Sequence, residues 1–193
     1  MKNKYIEKIL KENINNYAHK KQENGNSIRE LLLSHMELTY NYYLEMEEYK
    51  NLDKLIINII QNLIRKENCK IEARLTDGKD VGGSIYKIIE KVYELFKSAI
   101  YYHDIGKLNP NFQRVNMDNN INPNIKGTTE HSLISARIYL DAFKKEIEED
   151  FKLRKYNDND YIFLLYIIYY FSYIISRHHS RLTNIQEYLN KLS

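Results

Sequence analysis

The sequence predicts an all-α fold, and three observations carry that expectation. Four segments repeat their apolar residues at helical spacing. Each of the four also delivers histidine to its apolar face. No internal repeat or domain linker interrupts them, and 193 residues suffice for a real core. The chain therefore reads as a single domain over 1–193, centred on about 27–181.

Residues Tyr5–Ile14 read as a short first helix, and His19–Asn26 as a polar stretch. Ser27 reads as an N-cap, with Glu30 three positions on completing a capping box. The helix it starts runs to about Glu48. At ~100° per residue, Ile28, Leu31, Leu32, His35, Leu38, Thr39 and Tyr42 share one face, with His35 in its middle. A second apolar helix over Leu52–Ile64 lacks histidine and reads as packing. Asp77–Gly83 is a glycine-containing loop without the G-x-x-x-x-G-K-[ST] spacing of a phosphate-binding loop, so it reads as a turn.

Ser84 caps the next helix, which points Ile85, Ile88, Ile89, Val92, Leu95, Phe96, Ala99 and His103 inward. This helix stops on the adjacent pair His103-Asp104, with Gly106 and Lys107 following. Gly106 is expected to relax the backbone just past the helix end. Asn109–Lys126, with Pro110 and Pro123, reads as a long surface loop. Thr128 or Thr129 caps a helix with His131, Ile134, Ser135, Ile138 and Ala142 on one stripe. After the charged Lys144–Lys155, a helix beginning near Asp160 aligns Leu164, Ile167, Phe171, Ile174, Ile175 and His178, and His179 follows directly. Asn184–Leu192 begins one more amphipathic helix.

Composition narrows the function classes. A net charge of +3 provides no strong basic field, so any nucleic-acid contact is local. Cys69 is the single cysteine, which excludes a disulfide framework and a thiolate metal site, and fits a reducing compartment. Met1–Leu10 is polar and of mixed charge, unlike a secretory signal, so a cytoplasmic location is expected. The longest apolar run, Tyr161–Ile175, spans 15 residues and carries 5 tyrosines. A bilayer span needs about 20 apolar residues, so this run reads as a buried helix and no membrane is expected.

Of the 6 histidines, His35, His103, His131, His178 and His179 fall on inward faces, and Asp104 joins them. Burying so many imidazoles without a common partner leaves many polar groups to satisfy, and a metal ion satisfies them together. His103 and Asp104 offer one cation a nitrogen and an oxygen, and the second carboxylate oxygen can bridge to another. His19, in Ala18-His19-Lys20-Lys21, reads as solvated and is left out. Imidazole and carboxylate without thiolate suit Mn, Fe, Co, Ni or Zn, and are poor for Mg alone.

The ordered set His35, His103-Asp104 with Gly106-Lys107, His131 and His178-His179 resembles the HD superfamily of metal-dependent phosphohydrolases. Three features narrow the resemblance to the HD nuclease domain of the type I CRISPR-associated helicase–nuclease. They are Phe112-Gln113, the run Glu130-His131-Ser132-Leu133-Ile134-Ser135-Ala136, and the doublet closing Ile175-Ser176-Arg177-His178-His179. The resemblance covers about Ser27–Arg181 and implies an HD helical bundle with its metal site in the core between helices. It further implies hydrolysis of phosphodiester bonds in single-stranded DNA during antiviral defence. One divalent ion is implied on His35, His103 and Asp104, and a second on Asp104, His131, His178 and His179, with the aspartate bridging. Asp104 and Lys107 are then the catalytic residues, Lys107 meeting phosphate or the attacking water.

The implied partners are single-stranded DNA, a helicase domain or subunit, and an RNA-guided CRISPR surveillance complex. The family adds a later Asp to the first ion, well beyond the histidine doublet. Only 14 residues follow His179. Either the chain is an N-terminal fragment of a longer helicase–nuclease, or its first position lacks a ligand. Arg177 and Arg181 flank the doublet as candidates for backbone phosphates, and Phe112 is either a base-stacking ring or a loop anchor. Two alternatives stand beside the nuclease. One is an HD phosphohydrolase of a nucleotide or cyclic dinucleotide, since His103-Asp104-Ile105-Gly106-Lys107 also resembles the HD-GYP phosphodiesterases. Against that, Ser180-Arg181-Leu182 follows the doublet, and the Gly-Tyr-Pro ending is absent. The other alternative is a non-catalytic HD binding module.

Overall fold

A computed structural model describes residues 3–72, 82–121, 127–179 and 188–190. Among them, the chain runs α1 (Lys4–Glu12), β1 (Tyr17–Glu23), β2 (Asn26–Leu31), α2 (Leu32–Lys50), α3 (Leu52–Glu72) and α4 (Gly82–Tyr102). A 3-10 turn (Ile105–Leu108), α5 (Pro110–Met117), α6 (Ser132–Lys152) and α7 (Asp158–Ser176) follow. The fold is mostly helical, with one small two-stranded sheet in place of the expected all-α chain. No described helix is long and apolar enough to cross a membrane.

The hairpin corrects the N-terminal reading. Ser27 does not cap a helix; it lies in β2, paired with Gln22. Asn24 and Gly25, at φ 49° and 81°, make the tight turn. Two consecutive positive φ values match the twist of a hairpin, and Asn-Gly supplies them at low cost. The first helical turn of α2 starts at Leu32, whose N–H donates to Asn16 O at 2.8 Å. With the helix starting later, the expected apolar face also shifts. Leu32, Met36 and Tyr43 are buried, whereas Leu38 and Tyr42 are 46% and 62% exposed.

α4 is the central helix and packs against α2, α3, α6 and α7. Its predicted inward stripe holds, with Ile88, Ile89, Val92 and Leu95 all buried. The helix opens at Gly82 rather than at a Ser84 cap, and residues 77–81 of the expected loop lie outside the described residues. α6 and α7 lie side by side, joined by a short connection. Tyr139 donates to Leu95 O at 2.9 Å, tying α6 to α4, and Ser172 donates to Ala136 O at 2.8 Å, tying α7 to α6. Each bond satisfies a buried hydroxyl, which would otherwise oppose burial.

Two further corrections concern the connections. The expected surface loop Asn109–Lys126 contains α5, whose first residue is Pro110 and whose cap is Asn109, accepting from Asn111 N–H at 3.0 Å. Proline at the first helical position loses no intrahelical bond. Phe112 on α5 is buried, the loop-anchor outcome. The threonines do not cap α6: Thr128 accepts from Glu130 N–H, and α6 begins at Ser132 directly after His131. α3 continues past Ile64 to Glu72, and the α7 cap is Asn157, accepting from Asp160 N–H. Residues 188–190 are helical, while the rest of the expected last helix and Arg181 lie outside the described residues.

Candidate metal centre

The histidines gather at helix ends rather than along the middle of helical stripes. His103 and Asp104 follow the last residue of α4, and His178 and His179 follow α7 by two and three residues. His131 precedes α6, and His35 stands in the first turn of α2. The last carbonyls of a helix have no intrahelical donor. His103 Nδ1 lies 2.9 Å from Ile100 O, and His178 Nδ1 lies 2.6 Å from Ile175 O. Each ring thus gives its Nδ1 proton to a carbonyl of a last helical turn, which turns Nε2 towards the interior. The two helix C-termini also bring negative dipole ends to one place, which favours a cation there.

Asp104 is the point of convergence, with its side chain only 3% exposed. Its two oxygens divide the surrounding groups. Oδ2 lies 3.0 Å from His35 Nε2, 3.4 Å from His103 Nε2 and 2.9 Å from Lys107 Nζ. Oδ1 lies 3.1 Å from His178 Nε2 and 3.3 Å from His131 Nε2. His179 Nε2 is 3.1 Å from His131 Nε2 on the Oδ1 side. The structure therefore brings together His35, His103, Asp104, His131, His178 and His179, with Lys107 buried beside them.

Gly106 has a different part from the one expected. Its φ is not positive. Instead, a Cβ at this position would stand 2.0 Å from His131 O and 2.5 Å from Ser135 N. The 3-10 turn can approach the start of α6 so closely only without a side chain, and Gly106 N–H then donates to Ser135 Oγ at 2.7 Å. That contact sets His131 at its distance from Asp104.

The electrostatics follow from this crowding. Burial pushes the Asp104 carboxyl up, but hydrogen bonds from His103, His131, His178 and His35 outweigh it and hold the group far below the usual carboxylate range. Burial also opposes charge on His103, and the bond to Asp104 overcomes it and raises that imidazole. His179 is pushed down by burial and then by the His178 and His131 rings, so it is a neutral donor near neutral pH.

The donor set fits a metal ion. With Nδ1 of His103 and His178 committed to carbonyls, each Nε2 facing Asp104 either holds a second proton or opposes its lone pair to the oxygen's. His131 Nε2 and His179 Nε2 also face each other, at 3.1 Å. A cation relieves these conflicts at once, and neutral imidazole with carboxylate is ordinary ligation for first-row divalent metals. The Asp104, His131, His178 and His35 cluster can hold a metal ion.

His19 requires correction. It is exposed, as expected of a solvated residue, yet it packs its ring 4.5 Å from that of His35, and its Nε2 lies 3.4 Å from Lys107 Nζ. Burial and then the Lys107 charge push its imidazole down. Glu30, unnoticed as a site residue, places Oε2 3.3 Å from His35 Nδ1. Gln113, part of the Phe112-Gln113 motif, has a structural role of its own. It is fully buried, takes Tyr17 N–H at 2.9 Å, and donates to Tyr17 O and Lys107 O at 2.7 Å each. The Asn-Gly turn was the signal that would have found the hairpin and, with it, His19 and Glu30. Phe112 stacks edge-on against His131, centroids 5.0 Å apart, which accounts for its ring without a base.

Comparisons with family models, with curated proteins and with solved structures each returned no match.

Proposed function

We propose that this protein is a metal-dependent phosphodiesterase of HD-nuclease type, acting on single-stranded DNA in RNA-guided antiviral defence with a helicase partner. The observation that carries the chemistry is the division of imidazoles between the two oxygens of Asp104. Position one would use His35, His103 and Oδ2, and position two would use Oδ1, His131, His178 and His179. When bound, two divalent ions supply Lewis acidity and a water acidified to near neutral pH. Mn, Fe, Co, Ni and Zn all suit the donors.

The chain's own groups have distinct tasks. Asp104 holds both positions in register, and the carbonyls of Ile100 and Ile175 keep two imidazoles aimed at them. Lys107, on Oδ2, offsets charge growing on a phosphoryl oxygen. Arg177, next to His178, supplies a second cation for the phosphate backbone. His19 and His179 are both exposed at the margin, so the centre opens to the surface, which suits a strand better than an enclosed small molecule. The assignment to DNA, to a helicase and to a surveillance complex is supported by the resemblance of the ordered motif.

The test is cleavage of circular single-stranded DNA by metal-depleted protein supplied with each divalent ion in turn, beside cyclic dinucleotides as rival substrates. Cleavage is expected from the wild type and not from His103→Ala or Asp104→Ala, with helical content nearly unchanged by circular dichroism. Equal cleavage by both variants would sink the assignment. Turnover of cyclic dinucleotides alone would shift it to a nucleotide phosphohydrolase, and no turnover by a folded protein would make it a binding module.

A further inference from the structure

Among the described residues, position one has fewer ligands than position two. Position two has Oδ1 and three imidazoles, whereas position one has Oδ2, His35 and His103. The shortfall lies towards the hairpin. Lys107 Nζ sits on that side, 2.9 Å from Asp104 Oδ2 and 3.4 Å from His19 Nε2, so one cation already lies between these two groups. An ammonium held by a carboxylate oxygen and an imidazole nitrogen marks a place where a cation is accepted.

The hairpin is built to deliver two side chains there. His19 and Glu30 are direct cross-strand partners, which puts them on the same face of a two-stranded sheet. Gln113 clamps the start of β1 through both backbone groups of Tyr17, so the strand is fixed to the turn that carries Lys107. The ligand atoms of His19, Glu30 and His35 lie within 4.8 Å of one another, a group that adjoins the His35, His103 and Asp104 group through the shared His35. Glu30 Oε2 lies 3.3 Å from His35 Nδ1 while His35 Nε2 faces Asp104 Oδ2 at 3.0 Å. A carboxylate on the far nitrogen of a ligating imidazole fixes its tautomer and raises its basicity.

Resting on the two-ion reading of Asp104, we propose that the N-terminal hairpin completes position one, with His19 as its additional nitrogen ligand and Glu30 as the positioning residue of His35. His19 then adds a fourth ligand atom to the Oδ2, His35 and His103 of the first position.

The test is ion binding by the full chain, with Co2+ as probe, read by calorimetric titration, by elemental analysis after dialysis, and by the visible ligand-field bands of the bound ion. His19 is exposed, so His19→Ala removes no core. His19→Ala and Glu30→Ala are each expected to weaken one of two ions about 10–100-fold, and His19→Ala to change its ligand-field bands. Glu30→Gln, which keeps an acceptor oxygen, is expected to recover part of the affinity. His179→Ala is expected to weaken the other ion. If both ions bind equally well in wild type, His19→Ala and Glu30→Ala, the hairpin's part is overturned while the two-ion site stands. If the wild type binds no ion, the metal reading fails and the hairpin proposal with it. If it binds one ion that His19→Ala leaves intact and His179→Ala weakens, the hairpin is again excluded.

Discussion

Gly106→Ala is the most demanding test of how the centre is assembled. The added Cβ would fall 2.0 Å from His131 O, about 1.4 Å inside the 3.4 Å at which ordinary contact begins. Both near atoms are backbone, and His131 O already accepts from Ser135 N–H at 2.7 Å in the first turn of α6. Relief therefore requires the 3-10 turn and the start of α6 to part, which lengthens the Gly106 N–H to Ser135 Oγ bond. Overpacking of this kind costs about 1–3 kcal/mol, and a lost buried hydrogen bond adds about 1 kcal/mol. For a chain of this size each kcal/mol lowers Tm by about 2–4 °C, so a fall of about 5–15 °C is expected by calorimetry. Because His131 rides on the displaced backbone, the ion held with His178 and His179 should weaken in the same variant. A Gly106→Ala protein within about 1 °C of wild type, with unchanged ion affinity, would refute the claim that close approach at this glycine sets the site.

Three other outcomes follow from the same contacts. The raised His103 stabilises the ion-free protein fully below its ordinary value near 6.5, and that contribution is lost as pH rises through its higher folded value. Ion binding removes the conflict, so the rise in Tm on adding Mn2+ should be larger at pH 8 than at pH 6; an equal rise at both would contradict it. Gln113→Leu leaves Tyr17 N–H, Tyr17 O and Lys107 O without the buried amide, so a loss of about 1–3 kcal/mol is expected in urea, with faster hydrogen exchange at Tyr17. Lys107→Met should reduce DNA cleavage while leaving both ions bound; full activity would remove the lysine from the chemistry.

The centre was more legible than the frame around it, for a physical reason. Asp104 and the part-buried His35, His103, His131 and His178 are residues that burial makes expensive unless they share a partner, so their types and order carry the signal directly, whereas His179, expected to face inward, is exposed. The α4 stripe was equally plain because Ile88, Ile89, Val92, Leu95 and Ala99 are buried at helical spacing while Tyr86 on the same helix is exposed. The hairpin was not, since Ser27 and Glu30 satisfy a capping pattern just as well as they satisfy a strand, and local propensity cannot choose between them. What decides is tertiary: Leu32 N–H bonds to Asn16 O, and Gln113 holds Tyr17, both out of reach of a local window. α5 is hard to see in the sequence because Pro and Asn are common in loops, although Asn109-Pro110 equally spells a cap and a first helical residue.

The position of the histidines at helix ends is what makes a small centre of this kind possible. A histidine in mid-helix would find every backbone carbonyl on its own turn already bonded, and its Nδ1 proton would need a side-chain partner. At the ends of α4 and α7 the carbonyls of Ile100 and Ile175 do that work, so His103 and His178 need no carboxylate of their own. His35 is placed at a helix start, where the orphan groups are N–H donors and no carbonyl is offered. It is the one of these three rings with a carboxylate, Glu30, on its Nδ1. The chemistry of helix termini thus accounts for why a hairpin is packed against the start of α2, and why the acidic residue it brings is aimed at His35.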